Sequence, residues 1–440
     1  MCRAPWWSVC AAVALAACGG GNASVPDAPS GGPYPPMADA ARDVVDTTLA
    51  VDIGARTATA TITLAPSPST GASFEIGDLD IASVRLDDAE LLWSDAGDRL
   101  DVGVPPSTEP LVLTIGYAWR PHGNSDGVSP SGYTLTWPYW CGNVFPCRSA
   151  PSDGTTFHLS VTGAASPNTI VFPTAIPTEA PAYMAAWIVG EYTRLDLGQT
   201  TAGTKVAMWH LPGGAVSAQA GGAHLRDAFD WMEQHLGPYR FGGEVGTVAA
   251  RWGAGAFGGM EHHPYWHVAT AAMADEETNV HEAAHGWFGN GVRVRCWEDF
   301  VLSEGTVTYL AARVLEAVGG TAVSDPIWAR YTAALDAMRA GTGNGVAWPQ
   351  SCGQVDILAD GLFSQVPYIK GAFFYRAVAD KVGRDPLDQA LRTFYQRWGG
   401  KAAGMQDMLD VIEEVTGYDP QACAQAWLVE TTVPAVAACP

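Results

Sequence analysis

Two histidines stand four residues apart, with a glutamate beside the first, in the stretch NVHEAAHGWFGNGVRVRCWEDFVLSEG (279–305). On a helix, positions i and i+4 share a face, so His281 and His285 point the same way with Glu282 next to them. Imidazole nitrogens and carboxylate oxygens are donors that zinc takes, and a catalytic zinc keeps one position for water. Glu282 stands where it could take a proton from that water. Without a metal, the same face is a polar patch, its rings solvated or hydrogen-bonded in a core. Glu304 shifts the reading toward metal. It follows His285 after eighteen intervening residues and begins a second helical run, EGTVTYLAARVLEAV. A carboxylate there, on a helix packed against the first, would complete a His, His, Glu set.

Those helices need a frame, and the chain divides by periodicity. From about 45 to 200 it is strand-like: TATATITL (57–64) alternates polar and apolar residues, and LVLTIGYAW (111–119) and TFHLSVTG (156–163) are β-rich. Turn segments such as SPSTG and DAGD bound these runs, which predicts a β-sandwich or a large open antiparallel sheet. After about 200 the period changes, with Leu225, Phe229, Met232 and Leu236 on one helical stripe that Gly237 can close. Further helices are expected at 278–289, 305–318, 370–382, 386–398 and 405–416, and a last one from Pro420. Thr278 is expected to cap the helix of the two histidines, with Asp275, Glu276 and Glu277 at its positive dipole end. Asp385 and Asp419 are expected as caps before first-turn prolines.

The chain has 440 residues, 48% apolar and 16% charged, which suits a globular protein of two or more domains. Its net charge of −22 would repel nucleic acid. The start has one basic residue, Arg3, an apolar run from Val9 to Ala17 too short to span a bilayer, and small residues before Cys18. Leu15-Ala16-Ala17-Cys18-Gly19 resembles the lipobox of bacterial lipoproteins. That implies a signal peptide over 1–17, a lipid on Cys18 anchoring the chain in the cell envelope, and a flexible tether over 18–36. A plain secretory signal is the alternative. Setting aside Cys2, Cys10 and Cys18 leaves six of the nine cysteines, an even number that points to disulfides in an exported chain. Sequence proximity suggests Cys141 with Cys147, Cys423 with Cys439, and Cys296 with Cys352.

HEAAHGWFGN followed by LSEG resembles the M1 aminopeptidases of the gluzincin group. GGMEH (258–262) is similar to that family's GxMEN motif, and VPYIKG (366–371) to the segment with its catalytic tyrosine. FPCRSAP (145–151), YMAAWIVGEY (183–192) and AWLVETTVP (426–434) are weaker echoes. The resemblance implies one zinc per chain on His281, His285 and Glu304, Glu282 as general base, and Tyr368 as hydrogen-bond donor to the oxyanion. It implies that Glu261 holds the α-ammonium of a peptide, beside Gly258 and Gly259, whose bare backbone can run along the substrate. The implied fold is a β-rich domain over 37–200 and a thermolysin-like α+β, mostly helical catalytic domain over 201–440.

Departures qualify it. His262 replaces the usual asparagine, and His262, His263 and His267 suggest an aromatic pocket wall more than a second metal. Ser303 replaces a common asparagine, and Asp299 is a candidate to orient a ligand histidine. The expected reaction is removal of N-terminal residues from peptides. An open-site endopeptidase and a non-catalytic surface-binding lipoprotein on the same scaffold are the alternatives.

Overall fold

The computed structural model describes residues 34–252, 258–341, 345–435 and 438–439; the expected signal segment, Cys18 and the tether up to residue 33 lie outside them. The alternation in Thr57–Leu64 is realised as written, with Ala58, Ala60, Ile62 and Leu64 buried and the threonines turned outward to varying degrees. This strand sits inside a seven-stranded sheet between Val44–Asp52 and Leu111–Ala118. One pair departs from the antiparallel expectation: Val44–Asp52 runs parallel to Thr155–Thr162. A hairpin cannot join parallel neighbours, and the long excursion through residues 53–154 makes the connection. Three shorter strands, Gly71–Glu75, Trp93–Asp95 and Arg99–Gly103, form a second sheet whose inward residues join the same apolar core.

A five-stranded sheet follows, in the order Thr193–Gln199, Lys205–His210, Glu244–Ala250, Tyr265–Ala269, Gly259–Met260. Its three middle strands are parallel, and the first crossover carries helices α1 (Ala215–Gly221) and α2 (Leu225–His235). Covered on both faces, Glu244–Ala250 is buried along all but its first residue, as central parallel strands are. Gly259–Met260 is the edge among the described residues, paired with Tyr265–Ala269.

The rest is helical: α3 (Glu276–Ala284), α4 (Phe300–Gly319), α5 (Thr321–Ala340), α6 (Gln365–Val382), α7 (Arg384–Trp398), α8 (Met405–Thr416) and α9 (Gln421–Ala424), which passes into a π-helical turn, Gln425–Val429. Helix α5 was not anticipated. Its buried stripe, Ser324, Ile327, Tyr331 and Leu335, is sparse, and Pro326 reads as a breaker although it falls early in the helix. The caps also differ. Asp275, not Thr278, is the N-cap of α3, and Thr278 donates its hydroxyl hydrogen back to the Asp275 carboxylate at 3.0 Å. Helix α7 begins at Arg384 behind Gly383, so Asp385 lies in the first turn, where its charge still favours the dipole. Asp419 does receive an amide hydrogen, from Gln421. All three expected disulfides are present.

Helices α4 and α6 cross backbone to backbone. A Cβ on Gly371 would fall 2.5 Å from the Gly305 Cα, and one on Gly305 would fall 2.8 Å from the Gly371 Cα. Neither position has room for a side chain. The crossing sits one residue after Glu304 and three after Tyr368, so it fixes both.

Candidate active site

Helix α3 carries His281 and ends at Ala284, leaving His285 as its C-cap, still in helical conformation. The two imidazoles therefore keep the i, i+4 relation, with ring centroids 5.1 Å apart. From α4, Glu304 reaches both: its Oε2 lies 3.1 Å from His281 Nε2 and 3.5 Å from His285 Nε2. The three donor atoms lie within 4.8 Å of one another, and all three residues are buried. On the far side of its ring, His285 Nδ1 donates to the Phe288 carbonyl at 3.0 Å, which fixes the ring with Nε2 facing Glu304. Ser303 Oγ lies 3.3 Å from the same Nδ1, so the serine still serves that ring. Two nitrogens and one carboxylate oxygen, dry and convergent, are the donor set that fits a zinc ion.

Charge balance in the cluster points the same way. Burial works to depress both imidazoles, but Glu304 outweighs it, through its hydrogen bond to His281 and its charge beside His285. His281 rises and His285 is raised to about 10. Burial would lift Glu304 in turn, yet the two rings hold it below the usual carboxylate range. The pocket is one that seeks positive charge.

Glu282 projects from α3 beside this set. Burial raises it to about 8, against the lowering effect of His281 and His285. Gly259 on the edge strand lies directly over its carboxylate: a Cβ there would fall 2.3 Å from Glu282 Oε1. Only glycine lets strand and glutamate share that space, a reason sharper than backbone approach to a peptide. Gly258 is less crowded, with Thr278 at 3.7 Å from a Cβ. His263 Nε2 donates to the Glu282 main-chain carbonyl at 2.8 Å and Nδ1 accepts from Tyr239 Oη at 2.8 Å. Burial takes His263 down to about 3, consistent with a neutral ring in both contacts.

Glu261 closes the other side, with a carboxylate oxygen within 4.8 Å of donor atoms of both Glu282 and His285. Burial raises its pKa. Its main-chain carbonyl accepts from Asn290 Nδ2 at 2.6 Å, and Asn290 Oδ1 accepts from Tyr183 Oη at 2.8 Å. Asn290 and Tyr183 thus anchor the Glu261 corner; both lie within quoted motifs, HEAAHGWFGN and YMAAWIVGEY, yet residue type gave no sign of this task. Tyr368, on α6, stacks over His281 with centroids 6.0 Å apart. Burial, then the charges of Glu304 and Glu261, hold its hydroxyl well above the usual phenol range, so it remains a proton donor. Two residues on, the buried Lys370 donates to the carbonyls of Gly345 and Glu430, tying α6 to the C-terminal turn.

Two side expectations fall out differently. Asp299 touches neither ligand histidine; its Oδ1 accepts from Trp348 Nε1 and the Met405 amide, pinning the start of α4 to that of α8. His262 and His267 face each other, Nδ1 to Nδ1 at 3.2 Å, in full burial. No third donor joins them among the described residues. Every other expected site residue lines one cavity of about 510 Å3: Gly258, Gly259, Glu261, His281, Glu282, His285, Glu304 and Tyr368.

Residues 264–427 match the Peptidase family M1 domain. Leucine aminopeptidase 2 of Neurospora crassa is 25% identical over 383 residues, covering 76% of this chain and 55% of that protein. Leucine aminopeptidase 2 of Pyricularia oryzae is 20% identical over 395 residues, covering 76% of this chain and 60% of its own. The chain thus spans little more than half the length of these relatives. An M1 zinc metallopeptidase from Deinococcus radiodurans superposes with a TM-score of 0.75 at 20% identity, over 89% of this chain and 95% of that one. A two-domain M1 zinc metallopeptidase variant bound to L-tryptophan gives 0.74 at 19% identity, over the same shares. The fold is shared with these structures: mixed sheets first, helices after.

Proposed function

We propose that this chain, whose residues 264–427 match the Peptidase family M1 domain, is a zinc aminopeptidase of that family that removes single residues from the N-terminus of peptides. The observation that carries the reading is Glu261 beside the cluster, within 4.8 Å of Glu282 and His285. A carboxylate at that spot can hold an α-ammonium, which is largely charged at neutral pH. An amine pinned there leaves room for one residue before the reacting carbonyl. Cleavage then falls after the first residue.

His281, His285 and Glu304 would hold the metal. Zinc, when bound, supplies Lewis acidity toward the scissile carbonyl, lowers the pKa of the attacking water toward about 7 and adds positive charge beside Glu282. That charge opposes the burial that raises Glu282 to about 8 and so favours its ionised carboxylate. Glu282 takes a proton from the attacking water and passes it to the departing amine. Tyr368 Oη, held as a donor, gives a hydrogen bond to the oxygen that gains charge. The strand Gly259–Met260, with no neighbour on its outer side among the described residues, offers main-chain groups to an extended peptide, with Gly258 just before it.

The lipobox at Leu15–Cys18 supports export with a lipid on Cys18 holding the enzyme in a bacterial cell envelope. Three disulfides suit the oxidising side of a membrane.

Glu282→Gln tests the chemistry. It should retain zinc by metal analysis and lose at least roughly 10²-fold in turnover of free-amine peptides; unchanged turnover refutes the assigned base. Comparison of free and N-acetylated peptides separates this reading from internal cleavage, since only the former should be cut. Zinc uptake with no hydrolysis of any peptide would favour the binding-protein alternative.

A further inference from the structure

The corner that holds Glu261 and the helix that holds Glu282 are tied to each other by bonds that run in opposite directions. Asn290, past the end of α3, donates from its side-chain amide to the Glu261 main-chain carbonyl at 2.6 Å. His263, close behind Glu261 in the chain, donates from Nε2 to the Glu282 main-chain carbonyl at 2.8 Å. Each side thus lends a side chain to the backbone of the other. One such bond alone would act as a hinge, whereas the pair fixes the span between the two glutamates.

The bond from His263 exists because α3 leaves a carbonyl free. In a continued helix the Gly286 amide would take the Glu282 carbonyl. It bonds instead to the Ala283 carbonyl at 3.1 Å, as the chain turns out of the helix. A carbonyl oxygen only accepts, so His263 meets it with a protonated Nε2. Burial keeps the ring neutral, which leaves Nδ1 as an acceptor, and the Tyr239 hydroxyl fills it at 2.8 Å. Tyr239 is secured in turn through the loop after α2. Trp287 Nε1 donates to the Gly237 carbonyl at 2.9 Å, and Tyr395 Oη donates to that of Pro238 at 2.8 Å. Gly286 makes room for the pair, since a Cβ there would fall 2.7 Å from the Tyr239 ring and 3.0 Å from the His263 ring. Neither His263 nor Tyr239 is among the described residues that line the cavity.

We propose that His263, held as its Nε2–H tautomer by Tyr239, is a positioning residue for the base, fixing the Glu282 backbone relative to Glu261. The proposal goes beyond the aminopeptidase reading and rests on it for the reaction served. One substrate spans both glutamates, its amine on Glu261 and its reacting carbonyl near Glu282, so the two must keep register. A displaced base meets the attacking water poorly, while binding through Glu261 and the strand persists. The effect therefore falls on kcat and spares KM.

The test assays the zinc-loaded full chain on free-amine peptides, with zinc content and circular dichroism measured for every variant. His263→Leu keeps bulk without donor or acceptor; it should retain zinc and KM and lose at least ~10-fold in kcat. His263→Gln carries a donor and an acceptor on one amide, as the neutral ring does, and should stay within about 3-fold of the parent. Tyr239→Phe removes one oxygen atom and frees the tautomer, and kcat should fall about 3-fold or more. That variant carries the test if His263→Leu does not fold. In a Glu282→Gln background, His263→Leu should cost less than about 2-fold, because the group it positions is gone. Undiminished kcat in the folded variant overturns the proposal, as does a glutamine variant as slow as the leucine one. Equal loss in both backgrounds also overturns it, since that is the mark of general packing. Nitrogen NMR of the histidine rings, with His263 assigned by its absence from His263→Leu, reads the clasp without turnover. A neutral Nε2–H ring in the parent, lost in Tyr239→Phe, supports the clasp even if no peptide is hydrolysed, a result that would sink the catalytic reading alone. A ring protonated at Nδ1 in the parent overturns the clasp.

Discussion

Two parts of one cavity are built in opposite ways. The side with the proposed metal ligands is made of helices α3 and α4, with His281, His285 and Glu304 buried and the two rings meeting the acid across the helix interface. The opposite side is a two-residue strand and an aromatic wall, with one edge of the strand unpaired among the described residues and Gly258 exposed. Chemistry here depends on side chains held from several directions. Selection depends on surfaces left open for a ligand to complete. A substitution on the first side should change whether the reaction occurs, and one on the second should change which peptide undergoes it.

The largest effect should come from Glu304→Ala. Removing the shared acid leaves two buried rings without their counter-charge, and zinc stoichiometry should fall toward zero with activity reduced at least ~10³-fold. A variant that keeps stoichiometric zinc would break the contrast between the two sides. Next stands Glu261→Gln, which keeps size but drops charge. Free-amine peptides should lose about 10- to 100-fold in kcat/KM while zinc content is unchanged, since a hydrogen bond to a charged group is worth roughly 1.5–3 kcal/mol. Equal loss on N-acetylated peptides would remove the amine role.

Gly371→Val sharpens the comparison from the scaffold. Overpacking at a site with no room should lower stability by about 1–3 kcal/mol in urea unfolding, and the survivors should show impaired kcat because Tyr368 is displaced. The smallest effect is protonic. His285 is raised to about 10, so at pH 7 the metal-free site holds a proton that zinc must expel. Calorimetry in two buffers of different ionisation enthalpy should show at least one proton released per zinc, with affinity falling as pH falls. No release would mean that Glu304 does not lift the ring.

What could be read from the chain follows the same division. His281 and His285 could be paired because helix periodicity puts i and i+4 on one face whatever surrounds them, whereas Glu304, on a second helical run, came from its spacing and the family motif, as Tyr368 and Glu261 did. The disulfides were legible because two of the pairs are close in sequence and leave one choice for the rest. The aromatic wall of the cavity, with Trp137 and Phe363, was not. Trp137 and Phe363 lie far apart in the chain, and nothing local tells a tryptophan that lines a cavity from one that fills a core. Helix α5 was hidden by Pro326, and the cap of α3 by two candidates three residues apart. The glycine pair was invisible for a different reason: a glycine in a helix announces a close approach without naming what approaches.

That pair has a consequence for how the chain tolerates change. Where α4 meets α6, the contact is main chain on main chain at Gly305 and Gly371, so the span from carboxylate to phenol is set by the covalent geometry of two helices. Apolar residues farther along the interface can be exchanged for others of similar bulk without altering that span. Drift in the surrounding core is thereby uncoupled from the reacting centre, and only a methyl group at the crossing itself would carry it through.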